Sequence, residues 1–390
     1  MTAAIDPTKL RAWWFRKQGL DGSYGKADAQ GVLQRSGWAR SVGGVGPYLT
    51  LFSRAGISRA TADDSAAALE ICELPSARGC TYVVPASDFA LALKVGETFA
   101  RAPLRVAETL GVTGKEVDKL CNSVVKALGK DVLSPDEIRE STGNASRSLG
   151  EAGKKKGVTT TLPLALGLLQ SRGEIRRVPI DGRLDQQRYK YVVWQPNPLS
   201  GFKLTLDEAY VELARRFFRW IGPATLAEFQ AFSGLGVKAS RVAVESLGLV
   251  EVGDRLLLPD EAQAFEKFKV PATADYVLTS SLDGIYAHRG YDASALLADA
   301  DAKHKLWGKG GPSELPSHMI LDRGRLIGLW EYDTSAQAIV WTTFADVKDK
   351  NLDKAVRETE AYVRDQLGDA RSFSLDSPKS RLPRIEALRG

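Results

Sequence analysis

The chain has 390 residues, of which 44% are hydrophobic, and its formal net charge is +5 at neutral pH. This length exceeds what one hydrophobic core usually serves, so we expect several domains. No apolar stretch is long enough to span a membrane and no signal-peptide pattern opens the chain, which predicts a cytoplasmic protein. Cys72, Cys80 and Cys121 are odd in number and unclustered, which argues against a disulfide framework and against zinc.

The stretch WARSVGGVGPYLTLFSR, residues 38–54, holds three glycines in four positions before an apolar run. No Lys-Ser or Lys-Thr pair follows, so the glycines do not form a phosphate-binding loop of the P-loop type. One interpretation is a turn that lets the chain pass close to another backbone. The other is that the glycines leave room for a base turned out of a duplex, beside Arg40, Tyr48 and Tyr82.

Two carboxylates follow in ALEICELPSARG. Glu70 and Glu73 are three residues apart, a spacing that would place both on one face of a helix. Either is a candidate catalytic base if it is buried beside a site, and the pair is otherwise a surface feature. We expect Asp88, which follows VVPAS, to be a helix cap or an ion-pair partner.

A short helical pattern occurs twice, in SPDEIRESTG (134–143) and TLAEFQAFSG (225–234). Each begins with a hydroxyl residue, has Glu three positions later and ends with Gly. The hydroxyl group and the glutamate form a reciprocal capping box, and the glycine supplies the positive φ that stops the helix. The sequence therefore predicts two capped helices of similar length.

Each copy is followed by a second helix and a β-hairpin. The first has a helix near residues 162–171 and strands that turn at Asp181-Gly182; the second has a helix at about 238–247 and strands that turn at Gly253-Asp254. This order is that of a winged helix, a helix-turn-helix variant with a hairpin wing.

The positive charge of the chain is concentrated in the first copy. Residues 154–190 contain nine basic and three acidic residues, a net charge of +6. The basic residues lie before the candidate recognition helix and on or beside the wing, where a winged helix meets a duplex: Lys154, Lys155, Lys156, Arg172, Arg176, Arg177, Arg183, Arg188 and Lys190. Gln186 and Gln187 are placed to read base edges. The alternative is a solvated charged face. The second wing is not basic, which indicates a structural role or an interdomain contact.

From Tyr276 onward the pattern becomes β-rich. SHMILDRGRLIGLWEYDTSAQAIVWTTF predicts three strands, with turns at Arg323-Gly324 and near Thr334, and a closing helix follows at about 353–367. The last segment, SFSLDSPKSRLPRIEALRG, is polar, and we expect it to be loosely held.

Five stretches in this order resemble the winged-helix DNA glycosylase family of the AlkZ and YcaQ type, which excises bulky or crosslinked alkylated purines. They are YLTLFSRAG (48–56), ARGCTYVVPASDF (77–89), the basic wing, LTSSLDGIYAHRGYDAS (278–294) and MILDRGRLIGLWEY (319–332). The resemblance implies an α+β fold, with tandem winged helices followed by a β-rich, barrel-like C-terminal domain. It divides the chain into winged helices at 1–102, 103–200 and 201–270 and a C-terminal domain at 271–390.

The family's catalytic signature is a Gln-x-Gln or Gln-x-Asp pair just before the YLTLFSR-like stretch. Arg40, Ser41 and Val42 occupy these three positions, so neither outer residue matches, and Tyr82 stands where the family often has histidine. The catalytic residues are therefore not assigned; the nearby candidates are Glu70, Glu73, Tyr48 and Tyr82.

Two functions stay open from the sequence. The first is a DNA repair glycosylase or lesion-recognition protein with a diverged site, acting on double-stranded, damaged DNA. The second is a non-catalytic regulatory or architectural DNA-binding protein. A protein-interaction module is a third interpretation, which the local charge disfavours. We expect a monomer with no metal, no cofactor and no membrane association.

Overall fold

The computed structural model describes residues 5–308 and 311–390, and its fold mixes α and β structure. The N-terminal elements are α1 (Pro7–Lys17), α2 (Ala29–Ser36), β1 (Ala39–Arg40), α3 (Gly46–Ala55), α4 (Arg59–Ala67), β2 (Ile71–Pro75), β3 (Thr81–Pro85) and α5 (Phe89–Ala100). β3 lies between β1 and β2 in an antiparallel three-stranded sheet.

The middle of the chain is mainly helical. It contains α6 (Ala102–Glu108), α7 (Gly114–Leu128), α8 (Pro135–Thr142), α9 (Gly150–Lys155), α10 (Leu162–Ser171) and the hairpin of β4 (Ile175–Pro179) and β5 (Tyr189–Val193). After it come α11 (Leu206–Ile221), α12 (Leu226–Ser233), α13 (Val237–Glu245), the hairpin of β6 (Val250–Val252) and β7 (Arg255–Leu257), and α14 (Pro259–Lys267).

One connectivity recurs three times. A helix leads to a short extended segment, two or three more helices and a hairpin, and the extended segment pairs with the second strand of that hairpin. The three pairings are β1 with β3, Leu133 with Tyr191 on β5, and Ala224 with Leu256 on β7. The repeat that the sequence indicated in two copies therefore has a third member at the N-terminal end.

The two predicted capping boxes are confirmed. The Glu137 backbone N–H donates to Ser134 Oγ at 3.3 Å, and the Ser134 N–H donates to Glu137 Oε2 at 2.6 Å. Thr225 and Glu228 repeat this arrangement at 3.1 and 2.6 Å. Each box satisfies backbone donors that the first helical turn leaves unpaired, which is why α8 and α12 begin where they do.

The C-terminal part is built on an antiparallel four-stranded sheet. Its elements are β8 (Tyr276–Thr279), α15 (Gly284–Ala287), β9 (His318–Asp322), β10 (Arg325–Asp333), β11 (Ala338–Thr343), α16 (Lys350–Tyr362), which a π-helical turn extends over Val363–Leu367, and α17 (Pro378–Arg389). The strand order is β11-β10-β9-β8, so within the described residues the sheet is open at both edges and does not close into a barrel.

The prediction of a loosely held C-terminus is wrong. α17 packs on β10 and β11 and buries Arg381, Ile385 and Leu388. Arg384 on the same helix binds Glu331 of β10 at 2.8 Å. The segment is polar because it is a helix whose arginines pair with carboxylates: buried Arg381 with Asp369, and half-buried Arg384 with the buried Glu331.

The buried cores join segments that are distant in sequence. One core combines residues of α2 and α3 with residues of β9, β10 and α16, and another combines α1 with α15 and the C-terminal sheet. A third joins the N-terminal sheet to α11 and α12, whereas a fourth belongs to α7, α8 and α10. Aromatic side chains fill these cores: Trp14, Phe15, Phe217, Phe218 and Trp220 are buried, and Trp13 is half-buried. None of the described helices combines the length and the hydropathy that a membrane span requires.

Candidate nucleic-acid interface

The two faces of the β4-β5 hairpin have different environments. Cross-strand pairing places Arg177 opposite Tyr191, and Val178 opposite Lys190. Because side chains alternate along a strand, Ile175, Arg177 and Tyr191 share the inner face, where Ile175 and Tyr191 are buried. Arg176 and Lys190 therefore lie on the outer face.

The basic residues of the outer face make no ion pair with any described carboxylate. Arg176 and Lys190 are half-buried, and Arg188, immediately before β5, is exposed. The Arg188 carbonyl accepts from the Ile180 N–H at 3.1 Å, so the hairpin ladder continues to this residue and positions it. Three cations are thus presented on one side of a rigid two-stranded element.

The second group of predicted basic residues lies at the end of α9. Lys154, Lys155 and Lys156 are exposed; Lys154 pairs with Glu151 at 2.7 Å and Lys156 donates to Thr109 Oγ1 at 2.6 Å. Arg172 lies 3.9 Å from Asp118 at an exposed position. Exposed pairs of this kind are weak, so these side chains can exchange their partners for phosphate oxygens.

Arg177 lies on the inner face of the β4-β5 hairpin, opposite to the face of Arg176 and Lys190. It forms an ion pair with Glu73 of β2 at 3.4 Å, and Tyr189 donates a hydrogen bond to the same carboxylate at 2.7 Å. Glu73 is 5% exposed, and burial raises the pKa of its carboxyl group while the Arg177 charge lowers it. The Ser41 hydroxyl lies beside it, and Glu73 Oε2 has no well-aligned donor among the described residues. This contact fixes the basic hairpin against the N-terminal sheet.

The helical placement predicted for Glu70 and Glu73 is wrong. Glu70 is exposed in the turn before β2, and Glu73 lies within that strand with its side chain buried. Leu69, at φ 57°, and a neighbouring turn end the preceding helix. The three-residue spacing therefore puts the two carboxylates in different environments.

The tip of the hairpin is held by the segment after α16. Arg183 binds Asp185 and donates to the Leu367 carbonyl at 3.1 Å. Arg371, which the sequence did not single out, donates to the Asp185 carbonyl at 2.8 Å and to Gln186 Oε1 at 3.2 Å. Gln186 is therefore engaged inside the protein, and Gln187 accepts from Ser374 Oγ at 2.7 Å.

The same segment covers the glycine loop. The Val45 N–H donates to the Arg371 carbonyl and the Ser374 N–H to the Val42 carbonyl, both at 2.9 Å. A Cβ atom at Gly44 would lie 2.2 Å from the Ser372 carbonyl oxygen, so only glycine permits this approach. At Gly44 the first interpretation of the loop is therefore confirmed: this glycine lets two backbones pass closely.

The positions of the family's catalytic signature are split between two faces. Ser41 is buried near Glu73, whereas Arg40 donates to the Thr81 carbonyl at 2.9 Å and lies over the Tyr82 ring, 5.5 Å from its centroid. Val42 is half-buried. The outer positions thus present a guanidinium group and an aliphatic side chain, neither of which accepts a proton from water.

The two candidate tyrosines are buried. Tyr48 donates to Asp63 and its hydroxyl accepts from the Leu184 N–H at 2.8 Å, which ties α3 to the hairpin tip. Tyr82 is 4% exposed and packs against Phe232, with ring centroids 5.9 Å apart. Burial raises the pKa of both hydroxyl groups. As expected, Asp88 is an ion-pair partner, bound to Arg216 at 3.2 Å.

The comparisons with known proteins agree with this architecture. The model of the family described as DNA glycosylase AlkZ-like matches residues 44–373. The chain belongs to this family. Among solved structures, it is similar to the Streptomyces sahachiroi DNA glycosylase AlkZ, with a TM-score of 0.70 and 20% identity over 96% of this chain and 99% of that one. At this identity the likeness concerns the fold. A search of curated proteins gives no match.

Proposed function

We propose that this member of the AlkZ-like family binds duplex DNA and recognises damage in it. The observation that carries the proposal is the outer face of the β4-β5 hairpin, where Arg176, Arg188 and Lys190 form no ion pair with a carboxylate of the described residues. Such cations neutralise phosphates and release counterions, which makes binding favourable and salt-dependent.

In this proposal the three repeated units are winged helices, in the order that the sequence suggested. The hairpin of the second unit contacts the backbone or the minor groove, and Lys154, Lys155 and Lys156 contact phosphates beside the helix that enters the major groove. Arg177 and Arg183 support the hairpin from within, because both are paired with carboxylates.

The binding test compares two triple variants. The hairpin variant, Arg176→Ala/Arg188→Ala/Lys190→Ala, lacks the cations of the outer face. Its matched control, Lys348→Ala/Lys354→Ala/Arg357→Ala, lacks three exposed cations that lie on α16 or just before it. Affinity is measured on identical duplexes with and without one alkylated purine. The hairpin variant is expected to lose affinity for both duplexes, and the control to keep it. If the wild type binds the damaged and undamaged duplexes with equal affinity, the proposal of general DNA binding stands and the proposal of damage recognition is wrong.

A second candidate function, hydrolysis of the N-glycosidic bond, has one observation in its favour. Glu73 is a buried carboxylate beside the signature position Ser41, and its Oε2 atom has no well-aligned hydrogen-bond donor among the described residues. A carboxylate with a raised pKa close to the cleaved bond is the kind of group that positions or deprotonates attacking water.

Heating with alkali after incubation reveals abasic sites and separates the two functions. Strand breaks at the alkylated purine that disappear in Glu73→Gln would support excision through Glu73. Stable binding without strand breaks over a panel of lesions would show that the protein recognises DNA damage without excising the base.

A further inference from the structure

The opposite face of the N-terminal sheet carries a second group of basic residues, away from Glu73. We propose that Arg40 and Arg78, which both lie beside Tyr291, form a binding site for a backbone phosphate of the DNA. This inference rests on the proposed function, because the phosphate belongs to the bound duplex.

The first observation is that two guanidinium groups converge on one tyrosine. Arg78 lies 6.0 Å from the centroid of the Tyr291 ring. Burial raises the pKa of the Tyr291 hydroxyl, and the nearby charge of Arg40 lowers it. Neither arginine forms an ion pair with a carboxylate of the described residues; Arg40 donates to the Thr81 carbonyl at 2.9 Å and Arg78 to the Ala231 carbonyl at 3.4 Å. Most N–H groups of the two forks are left for an anion.

The second observation is backbone strain at this place. Arg78 has φ 57° and Tyr291 has φ 63°, a region that residues with a Cβ atom rarely adopt. They belong to different segments, yet the Arg78 guanidinium lies 6.0 Å from the centroid of the Tyr291 ring. Arg78 lies in the loop between β2 and β3, where a positive φ is common, and residues in this conformation persist where the surrounding structure holds them. The two backbones are therefore held beside each other by the structure around them.

The third observation is that separate segments pack together at this place. The loop with Arg78 packs on the end of α12, where a Cβ atom at Gly234 would lie 3.2 Å from the Arg78 Cα. A Cβ atom at Gly290 would lie 2.9 Å from Ala231 Cβ, so the loop with Tyr291 approaches the same helix. The packing fixes the backbones that carry Arg78 and Tyr291, while the exposed Arg78 side chain can reach an anion.

Arg40 occupies an outer position of the family's signature. A guanidinium group there offers a positive charge and several hydrogen-bond donors, which suit an anion. The site would hold the strand next to the damaged base and would add one or two phosphate contacts to those of the hairpin.

The decisive variant is Arg78→Gly. Glycine adopts φ 57° without strain, so this change removes the guanidinium group while the melting temperature is maintained or rises. We expect the affinity for duplex DNA to fall about tenfold and the slope of log K against log salt to lose about one unit. Arg40→Lys keeps the positive charge but loses the planar guanidinium group. This variant is expected to lose part of the affinity for DNA and to keep the slope of log K against log salt.

The reactivity of Cys80 reports whether bound DNA covers this part of the surface, and this measurement does not depend on affinity. It is half-buried between Arg78 and Tyr82, whereas Cys72 and Cys121 are buried, so a maleimide is expected to react first at Cys80. Saturating DNA is expected to slow this reaction in the wild type but not in Arg40→Ala/Arg78→Gly.

The outcomes separate this site from the proposed function. A wild type that binds no DNA overturns both. A wild type that binds DNA through the hairpin, with Arg78→Gly unchanged in affinity and slope and with Cys80 unprotected, overturns the phosphate site alone.

Discussion

Arg177 of the basic hairpin lies 3.4 Å from Glu73 of the N-terminal sheet, so one of the arginines that the sequence suggested for DNA binding serves as an internal anchor. Its neighbour Arg176 points to the other face and stays available. The function of two adjacent arginines is decided by the alternation of side chains along one strand.

Arg177→Ala is expected to lower the free energy of unfolding by about 3 kcal/mol, because it leaves the buried Glu73 carboxylate without its counter-charge. The double variant Glu73→Leu/Arg177→Met, which removes both charges, is expected to recover most of this loss. Chemical denaturation of the three proteins measures the difference. If the double variant loses as much free energy of unfolding as Arg177→Ala, the ion pair stabilises the protein by more than the cost of burying its two charges.

Stability should fall as the solution becomes acidic, owing to two buried histidines. Burial lowers the pKa of His288 and of His318 to about 4, against 6.5 for the unfolded residue. Below about pH 6.5 the two imidazole groups bind protons in the unfolded chain but stay neutral in the folded chain. The free energy of unfolding present at neutral pH is therefore lost as the pH falls towards 4. The full effect is about 3 kcal/mol for each histidine.

Denaturation between pH 7 and pH 5 tests this dependence. His318→Asn should reduce the slope of stability against pH, whereas His304→Asn, at a half-buried surface position, should keep it. Equal slopes in the wild type and His318→Asn would contradict the assignment.

The glycine loop gives a prediction about packing. Gly44→Ala should destabilise the protein by at least about 2 kcal/mol, because its Cβ atom would meet the Ser372 carbonyl at 2.2 Å and push residues 371–374 away from the loop. Gly167→Ala is the matched control: it lies inside α10 with nothing within 4 Å of the added atom, and alanine favours a helix by about 0.5–1 kcal/mol. Thermal melting of both variants should therefore show shifts of opposite sign.

The C-terminal helix gives a second packing prediction. Leu388 is 5% exposed and Leu382 is 46% exposed on the same helix. Leu388→Ala should cost about 2–4 kcal/mol and Leu382→Ala less than about 0.5 kcal/mol. Similar small effects from both substitutions would mean that the segment is as loosely held as its composition suggested.

Local patterns predicted the elements with strong signals. The capping boxes at Ser134 and Thr225, the hairpin turns and the strands of the C-terminal sheet depend on neighbouring residues, so they can be recognised from the sequence. The Glu73–Arg177 pair, the segment over the glycine loop and the convergence of Arg40 and Arg78 join residues that are distant in the chain. No local pattern encodes those contacts, and for this reason the sequence could name candidate residues but could not decide which face each one serves.

The measurement that tests DNA binding by the hairpin most directly is the salt dependence of affinity for a duplex with one alkylated purine. Over about 50 to 200 mM salt, the slope of log K against log salt should be steep in the wild type and smaller by about three units in Arg176→Ala/Arg188→Ala/Lys190→Ala. An identical slope in the two proteins, with both folded, would contradict the proposal that the outer face of the hairpin holds the DNA.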